Sequence, residues 1–258
     1  MKKIYLLLFT VLAFSMGVFA QPSVLGTQLA NGSYVTYNLN SIGLFRQYRL
    51  QASTSAAIST RNWEFASGTA ASPNYTTNWR PNTSNNTLSS NLFIPTSFAN
   101  GAKYNTASGG ASGLLPVITS GNYYTFNVDI NSAADNSMEL LETSYNPVTI
   151  TSVSNTTPAN ASNSVLVTCT TSAAPSAGEY VYVRYSTVNT FAASALAQFT
   201  FTGTTGQALI PCQPAGQVYY YVLSSNQTSA QITADATTYG KIAYDLATLN
   251  LNNNHLNN

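Results

Sequence analysis

Both tryptophans of this 258-residue chain lie close together in the sequence and have polar neighbours. The first follows Arg-Asn and precedes Glu, and the second precedes Arg-Pro, with a tyrosine between them. Sugars present flat C–H faces that lie well against aromatic rings, and their hydroxyls form hydrogen bonds with planar guanidinium, amide and carboxylate groups. The candidate glycan-binding residues are therefore Arg61, Trp63, Glu64, Tyr75, Trp79 and Arg80.

Burial in a core is the competing interpretation of the same tryptophans. Trp63 fits an inward-facing strand position, which tryptophans of β-sandwiches often occupy. Residues 66–78 contain Gly68, Pro73 and several Ser and Thr residues, and loops of this composition commonly carry function. Trp79 is followed by Arg-Pro, which suits a loop, so burial and a loop position both stay open there. If the tryptophans form the platform, we expect Trp79→Ala to abolish glycan binding while leaving the fold intact.

Acid–base catalysis is not expected from the ionisable residues. The one histidine, His255, lies in a polar C-terminal stretch, so a Ser-His-Asp arrangement has no suitable base. Glu139 and Glu142 are the closest carboxylate pair, but residues three apart in a strand face opposite sides. The protein is therefore predicted to be non-enzymatic, with no catalytic residues.

A metal or cofactor is not expected either. Two cysteines and one histidine are too few for a zinc site. The segment from Asp129 to Asn136 carries several oxygen ligands but lacks the central glycine and terminal glutamate of an EF-hand loop. An irregular calcium site there stays open as an alternative to a simple turn.

Alternating polar and apolar residues predict the strands that must position these side chains. Four such segments follow glycine turns, and each has one apolar face, which is typical of half-buried antiparallel strands. They are Ser33–Leu39, Asn122–Ile130, Glu179–Tyr185 and Gln217–Leu223.

Composition favours an all-β fold, because the chain is rich in Tyr and Thr and is 44% hydrophobic. A boundary near Tyr145–Pro147 predicts two antiparallel β-sandwich domains in tandem, residues 21–146 and 147–251, before a polar tail at 252–258. The predicted strands of the second domain are Val148–Val153, Ser164–Thr170, Glu179–Ser186, Ala197–Thr202, Gln207–Cys212 and Val218–Ser224. Residues 231–251 fit either a last strand or a short helix around Tyr239–Leu249.

The only two cysteines, Cys169 and Cys212, are predicted to form a disulfide in an exported protein. Alternation places Cys169 on the face of Val167, and Cys212 on the face of Ile210, so both point towards one core. Such a bridge would stabilise the fold by roughly 4 kcal/mol on the chain-entropy model. Two buried free thiols are the alternative.

A second candidate surface is the stripe formed by Tyr180, Tyr182 and Arg184. If Val181 and Val183 face the core, the stripe faces outward, and Tyr and Arg are enriched at protein interfaces. The alternative is a cross-strand ladder that only stiffens the sheet.

The first twenty residues predict export. Lys2 and Lys3 precede an apolar run that is too short to span a membrane, and small residues lead to a cleavage site after Ala20. Removing this signal peptide leaves seven basic and eight acidic residues, a net charge of −1. Neither nucleic-acid binding nor membrane insertion is therefore expected.

The second half resembles a known kind of module. The segments Gly203–Gln213, Val218–Ser225 and Tyr182–Thr187 resemble a fibronectin-III/immunoglobulin-like module of secreted bacterial surface and polysaccharide-degrading proteins. The resemblance covers about residues 147–250. It implies a spacer, an adhesive unit or a companion to sugar-binding and sugar-cleaving domains.

Together these observations predict a secreted, non-enzymatic glycan-binding or surface-adhesion protein, found outside the cell or on its surface. Its expected partner is a polysaccharide or cell-surface glycan. The alternative is a structural subunit or spacer of an extracellular filament or matrix. Charged residues are only 7% of this chain, and Tyr-rich strands of low charge suit self-association through sheet edges.

Overall fold

The computed structural model describes residues 21–42, 45–57, 60–81, 103–108, 113–129, 135–156, 164–188, 191, 193–213, 216–230, 232, 245–246 and 254–256. These residues form nineteen strands, all of whose pairings are antiparallel. The prediction of an all-β fold is confirmed. The predicted signal peptide lies outside the described residues.

Ten strands lie before the predicted boundary and belong to one sheet. They are β1 (Val24–Thr27), β2 (Val35–Asn38), β3 (Asn40–Ile42), β4 (Phe45–Gln51), β5 (Asn62–Thr69), β6 (Ser72–Pro81), β7 (Lys103–Ser108), β8 (Gly113–Leu114), β9 (Tyr123–Asp129) and β10 (Asp135–Thr143). Nine of them follow in the order β2-β1-β5-β6-β7-β10-β9-β4-β3, and β8 pairs with β5.

This ten-stranded sheet is rolled up on itself. Strands β2 and β3 lie at opposite ends of the nine-strand path, yet only Leu39 separates them in the chain. Eight strand spacings of about 4.8 Å would place the two edges roughly 38 Å apart in a flat sheet. A single linking residue spans at most about 7 Å, so the edges must meet. The rings of Tyr37 in β2 and Tyr48 in β4 accordingly stack at 4.6 Å.

The rolled sheet encloses one hydrophobic core. Alternation along β5 sends Trp63 and Phe65 inward, where they pack with Phe126 and Leu140 from the far part of the sheet. Glu64 takes the outer face between them and pairs across β1 with Gly26. The alternation along β5 that buries Trp63 and Phe65 therefore also determines that Glu64 lies on the outer face, next to β1.

Nine strands follow the predicted boundary: β11 (Ile150–Asn155), β12 (Val165–Thr171), β13 (Tyr180–Ser186), β14 (Ala195–Gln198), β15 (Thr200–Thr202), β16 (Thr205–Ile210), β17 (Gly216–Ser225), β18 (Asp245–Leu246) and β19 (Asn254–Leu256). One sheet has the order β11-β12-β16-β15, and the other has the order β14-β13-β17-β18, with β19 also paired to β17. Among the described residues, neither of these two sheets includes any of the strands β1 to β10.

The two sheets of this second half share a core. Val167 and Ile210 from one sheet and Val183 and Val222 from the other belong to the same buried cluster. The chain passes from one sheet to the other at the buried Phe199, which divides the predicted strand 197–202 into β14 and β15.

The end of the chain contributes to the sheet of β17. Within residues 231–251, for which the sequence fits either a strand or a helix, Asp245–Leu246 forms the strand β18, and Ile232 is the one further described residue. The predicted polar tail contains β19, whose backbone pairs with Gly216–Val218.

Candidate functional site

The two tryptophans are core residues and offer no surface to a ligand. Trp63 and Trp79 are each 2% exposed and belong to the core cluster of the rolled sheet. The ring of Trp63 lies 5.4 Å from that of Phe65, and a Cβ at Gly113 would lie 2.3 Å from its Cε2 atom. The prediction that Trp63 and Trp79 form an exposed sugar platform is therefore wrong, because a ring without an open face cannot stack on a sugar.

Arg61 holds the backbone together and does not face a ligand. Its guanidinium is buried and donates from Nη1 to the carbonyl oxygens of Leu29 at 2.6 Å and Thr54 at 3.2 Å. Nη2 donates to the Thr54 hydroxyl at 2.7 Å and to the Ser55 carbonyl at 3.2 Å. Arg61 thus ties the chain around Leu29 to the chain around Thr54.

Replacing Arg61 by alanine is expected to lower the free energy of unfolding by about 3 kcal/mol, because buried carbonyls lose donors from a charged group. Urea denaturation of the purified protein measures this change. Arg46→Ala is the matched control: its guanidinium bonds to Gln21 at an exposed position, and we expect a change within about 0.5 kcal/mol. Equal stabilities of the two variants would contradict the role given to Arg61.

Three other side chains meet on the outer face of the rolled sheet, and we call them the Tyr34 cluster: Tyr34, Glu64 and Tyr75. The hydroxyl of Tyr34 donates to Oε1 of Glu64 at 2.5 Å and lies 3.3 Å from the hydroxyl of Tyr75. Glu64 is 8% exposed, whereas Tyr34 is 43% exposed. The cluster therefore combines an open aromatic ring with a carboxylate and a hydroxyl at its edge.

Gly26 provides the surface on which Tyr34 lies. A Cβ at Gly26 would be 1.9 Å from the Tyr34 hydroxyl oxygen and 2.6 Å from Cζ, so the phenol end of the ring covers this glycine. Because the backbone of β1 is on one side of the ring, the exposed surface of Tyr34 is on the other. The ring is thus fixed in position, with one side towards solvent.

An irregularity in β6 places Tyr75 beside Tyr34. Consecutive residues of β5, Ala66 and Ser67, pair with Asn78 and Asn74, so residues 75–77 are extra on β6. The side chain of Asn78 donates to the carbonyl oxygen of Tyr75 at 2.9 Å and holds this bulge. β-bulges commonly redirect a side chain, and here the bulge brings Tyr75 over the outer face.

The electrostatics of the cluster keep Tyr34 protonated. Partial burial and the hydrogen bond to Glu64 raise the pKa of Tyr34 well above its usual value of 10.0. Its hydroxyl therefore acts as a donor to the carboxylate at any physiological pH. The arrangement offers an aromatic face for C–H groups and oxygen atoms for hydroxyls, which is the chemistry that neutral sugars require.

No protein-family model, curated protein or solved structure matches this chain. Function is therefore inferred from the geometry of the described residues.

Two of the six residues that the sequence singled out belong to the Tyr34 cluster, namely Glu64 and Tyr75. The backbone of Arg80 pairs with Ala107 of β7, and its side chain lies outside the described residues. Tyr34 itself was missed, although alternation in the predicted strand Ser33–Leu39 leaves it on the face opposite Val35 and Tyr37. Its polar-face position was the available signal, but its partners depend on register between distant strands.

The central residue of the predicted interface stripe on β13, Tyr182, is covered and is not part of a free surface. Alternation is as expected, because Val181 and Val183 belong to the core between the two sheets. Tyr182, however, is fully buried, and its hydroxyl donates to the carbonyl oxygen of Gln227 at 2.9 Å. Ile232 packs into the same outer cluster, so the chain after β17 covers this face. The prediction that Tyr182 lies on an exposed interface is therefore wrong.

The neighbours of Tyr182 are likewise engaged in the fold. Arg184 donates to the hydroxyls of Ser194 at 2.7 Å and Tyr221 at 3.1 Å. Tyr180 is half-buried at the margin of the same cluster. Burial, aided by Tyr180, raises the pKa of Tyr182 to about 12. The stripe stabilises the outer layer of this sheet.

The predicted disulfide is wrong, since Cys169 and Cys212 are not bonded to each other. Cys169 pairs across the sheet with Gly206, and Cys212 lies six residues beyond Gly206 along the chain. Six residues of extended chain span about 20 Å, whereas a disulfide needs Cα atoms within about 7 Å. Strand β16 also ends at Ile210, so alternation does not carry Cys212 into the core, and it is exposed. Burial raises the pKa of the Cys169 thiol to about 12.

The described residues show neither a metal-binding cluster nor a membrane-spanning helix. Among them, no three His, Cys, Asp or Glu side chains converge where a metal ion would be held. None of the residues that the structure describes forms a helix with the length and apolarity needed to span a bilayer. Part of the oxygen-rich segment at 129–136 lies outside the described ranges.

Proposed function

We propose that this chain is a secreted, non-enzymatic glycan-binding or surface-adhesion protein whose binding site is the Tyr34 cluster. The observation that carries the proposal is the position of Tyr34, a residue that is 43% exposed, lies against Gly26 and bonds through its hydroxyl to Glu64. A ring that is already ordered loses little conformational freedom when a sugar stacks on it, so more of the contact energy appears as affinity.

The polar atoms around the ring supply orientation. Sugar hydroxyls both donate and accept hydrogen bonds, and the cluster places a carboxylate and a phenol hydroxyl at the edge of the aromatic face. Binding sites typically combine one apolar surface with a few placed polar groups. In this arrangement the ring contributes affinity, and Glu64 and Tyr75 select the orientation of the sugar.

We also propose a finer architecture of two domains, residues 21–146 and 147–251, the first built on the rolled sheet and the second a β-sandwich resembling a fibronectin-III/immunoglobulin-like module. The strand order of the second half supports this. Lettered from A in chain order, with β14 as C′, the sheets read A-B-E-D and C′-C-F-G, which is the arrangement of immunoglobulin-type sandwiches. Modules of this kind suit a protein that presents a binding surface outside the cell.

Retention of the purified protein on a panel of insoluble and soluble polysaccharides tests the proposed function. We expect selective retention that falls about thirtyfold in Tyr34→Ala, the combined loss of a stacking contact and a hydrogen bond. Tyr34→Phe keeps the ring and loses only the hydroxyl, so a smaller loss is expected.

The matched control is Tyr123→Ala, which removes a half-buried tyrosine of β9 outside the cluster and should leave retention unchanged. Retention of wild type and Tyr34→Ala to the same extent would rule out the Tyr34 cluster as the site. Absence of retention on every glycan would instead favour the structural alternative, a subunit or spacer of an extracellular filament or matrix.

A further inference from the structure

The connection between the two halves of the chain is held from both sides. Strand β10 ends at Thr143, strand β11 begins at Ile150, and no described sheet includes strands from both halves. Between them, Pro147 and Val148 are buried. The contacts of these two residues decide how freely one half moves relative to the other.

Arg49 approaches the connection from the first half. It lies in β4, and its Nε donates to the hydroxyl of Thr125 in β9 at 3.1 Å, which orients the guanidinium on the outer face of the rolled sheet. Its Nη1 donates to the carbonyl oxygen of Pro147 at 2.7 Å, although the two residues are 98 positions apart.

Glu179 approaches from the second half, immediately before β13. Its Oε1 accepts a hydrogen bond from the backbone N–H of Val148 at 2.8 Å, and its Oε2 accepts one from Ser176 at 3.1 Å. The carboxyl is buried, and burial raises its pKa, while the two N–H donors and the charge of Arg49 act in the opposite direction.

The carbonyl of Pro147 and the N–H of Val148 belong to one peptide group. Because a peptide group is planar and trans, its C=O and N–H point in opposite directions. A cation therefore bonds to its oxygen end while a carboxyl bonds to its N–H end, which is the favourable alignment of the peptide dipole at both ends. Hydrogen bonds to charged groups are about twice as strong as neutral ones, and bonds in a chain polarise one another.

We propose that Arg49, the Pro147–Val148 peptide group and Glu179 form a junction clamp that holds the two halves of the protein at one fixed angle. Each half contributes one charged side chain, and the two side chains bond to opposite ends of this single peptide group. Removing either charge frees one end of the peptide and converts the connection into a hinge. The clamp thereby makes one rigid unit from two separately cored halves.

Small-angle X-ray scattering of the purified protein tests the junction clamp. Arg49→Met keeps the aliphatic stem and removes the charge, and Glu179→Gln keeps the side-chain shape and loses one acceptor. We expect both variants to give a larger maximum dimension and a broader distance distribution than wild type. Arg46→Met, on the same strand but bonded to Gln21, is the control that should scatter like wild type.

Limited proteolysis provides a second readout of the same proposal. Cleavage between Ser144 and Thr149 is expected to be at least about tenfold faster in Glu179→Gln, the factor that corresponds to a lost charge-assisted hydrogen bond. If Arg49→Met does not fold, the cleavage rate and scattering of Glu179→Gln test the junction clamp by themselves. Folded variants with wild-type scattering and wild-type cleavage at the connection would overturn the clamp. None of these changes touches the Tyr34 cluster, so glycan retention is tested separately.

Discussion

Replacing Trp79 by alanine is expected to lower the free energy of unfolding by about 3–5 kcal/mol, the usual cost of deleting a buried aromatic side chain. Trp79 is 2% exposed and packs in the same core as Trp63, Phe65 and Phe126. Deleting the indole removes its buried apolar surface and leaves a cavity that the surrounding strands fill only in part. Urea denaturation followed by circular dichroism measures the change.

Val117→Ala is the control for this loss, because Val117 is 53% exposed and its truncation should change stability by less than about 0.5 kcal/mol. The sequence alone predicts the reverse for Trp79, a stable variant that no longer binds glycan. A Trp79→Ala protein with wild-type stability and no glycan retention would contradict the core position described here and would restore the tryptophan platform.

Gly26→Ala is expected to lower glycan retention about thirtyfold, as much as Tyr34→Ala, without removing any polar group of the site. The added Cβ would lie 1.9 Å from the Tyr34 hydroxyl oxygen, so the ring must swing off β1 and lose its bond to Glu64. The displaced atoms are the far end of a flexible side chain, and Gly26 has no positive φ, so the fold should survive.

Gly206→Ala is the matched control for that experiment. Its Cβ would lie 2.6 Å from the ring of Phe201 in the second half, so an aromatic ring is displaced there too, away from the proposed site. We expect its glycan retention to equal that of wild type. Wild-type retention by Gly26→Ala, alongside a loss in Tyr34→Ala, would show that the ring binds without the fixed position we assign to it.

Local pattern predicts much of this fold because strand periodicity is a property of neighbouring residues. The alternation around Val181 and Val183 places them in a core, and the structure agrees. The same rule fails for Cys212, because Pro211 follows the end of β16 and alternation stops there. A pattern shows which face a residue takes, but only while the strand continues.

The candidate site was less predictable because it depends on register. Tyr34 and Glu64 are 30 residues apart, and Tyr34 and Tyr75 are 41 apart. They meet because β1 lies between β2 and β5, and because β6 has a bulge at Tyr75. Neither the order of strands in a sheet nor the position of a bulge can be predicted from local composition. The prediction of exposed tryptophans failed for a related reason. Their polar sequence neighbours lie on the opposite face of the strand, while the indoles are buried in the core.

The most direct test of the Tyr34 cluster is nuclear magnetic resonance of protein with isotope-labelled tyrosine and tryptophan, titrated with the glycan that retains it. The ring signals of Tyr34 and Tyr75 should shift progressively with glycan concentration, while the indole signals of Trp63 and Trp79 stay in place. Shifts of the indole signals with unchanged Tyr34 and Tyr75 rings would contradict the proposed site.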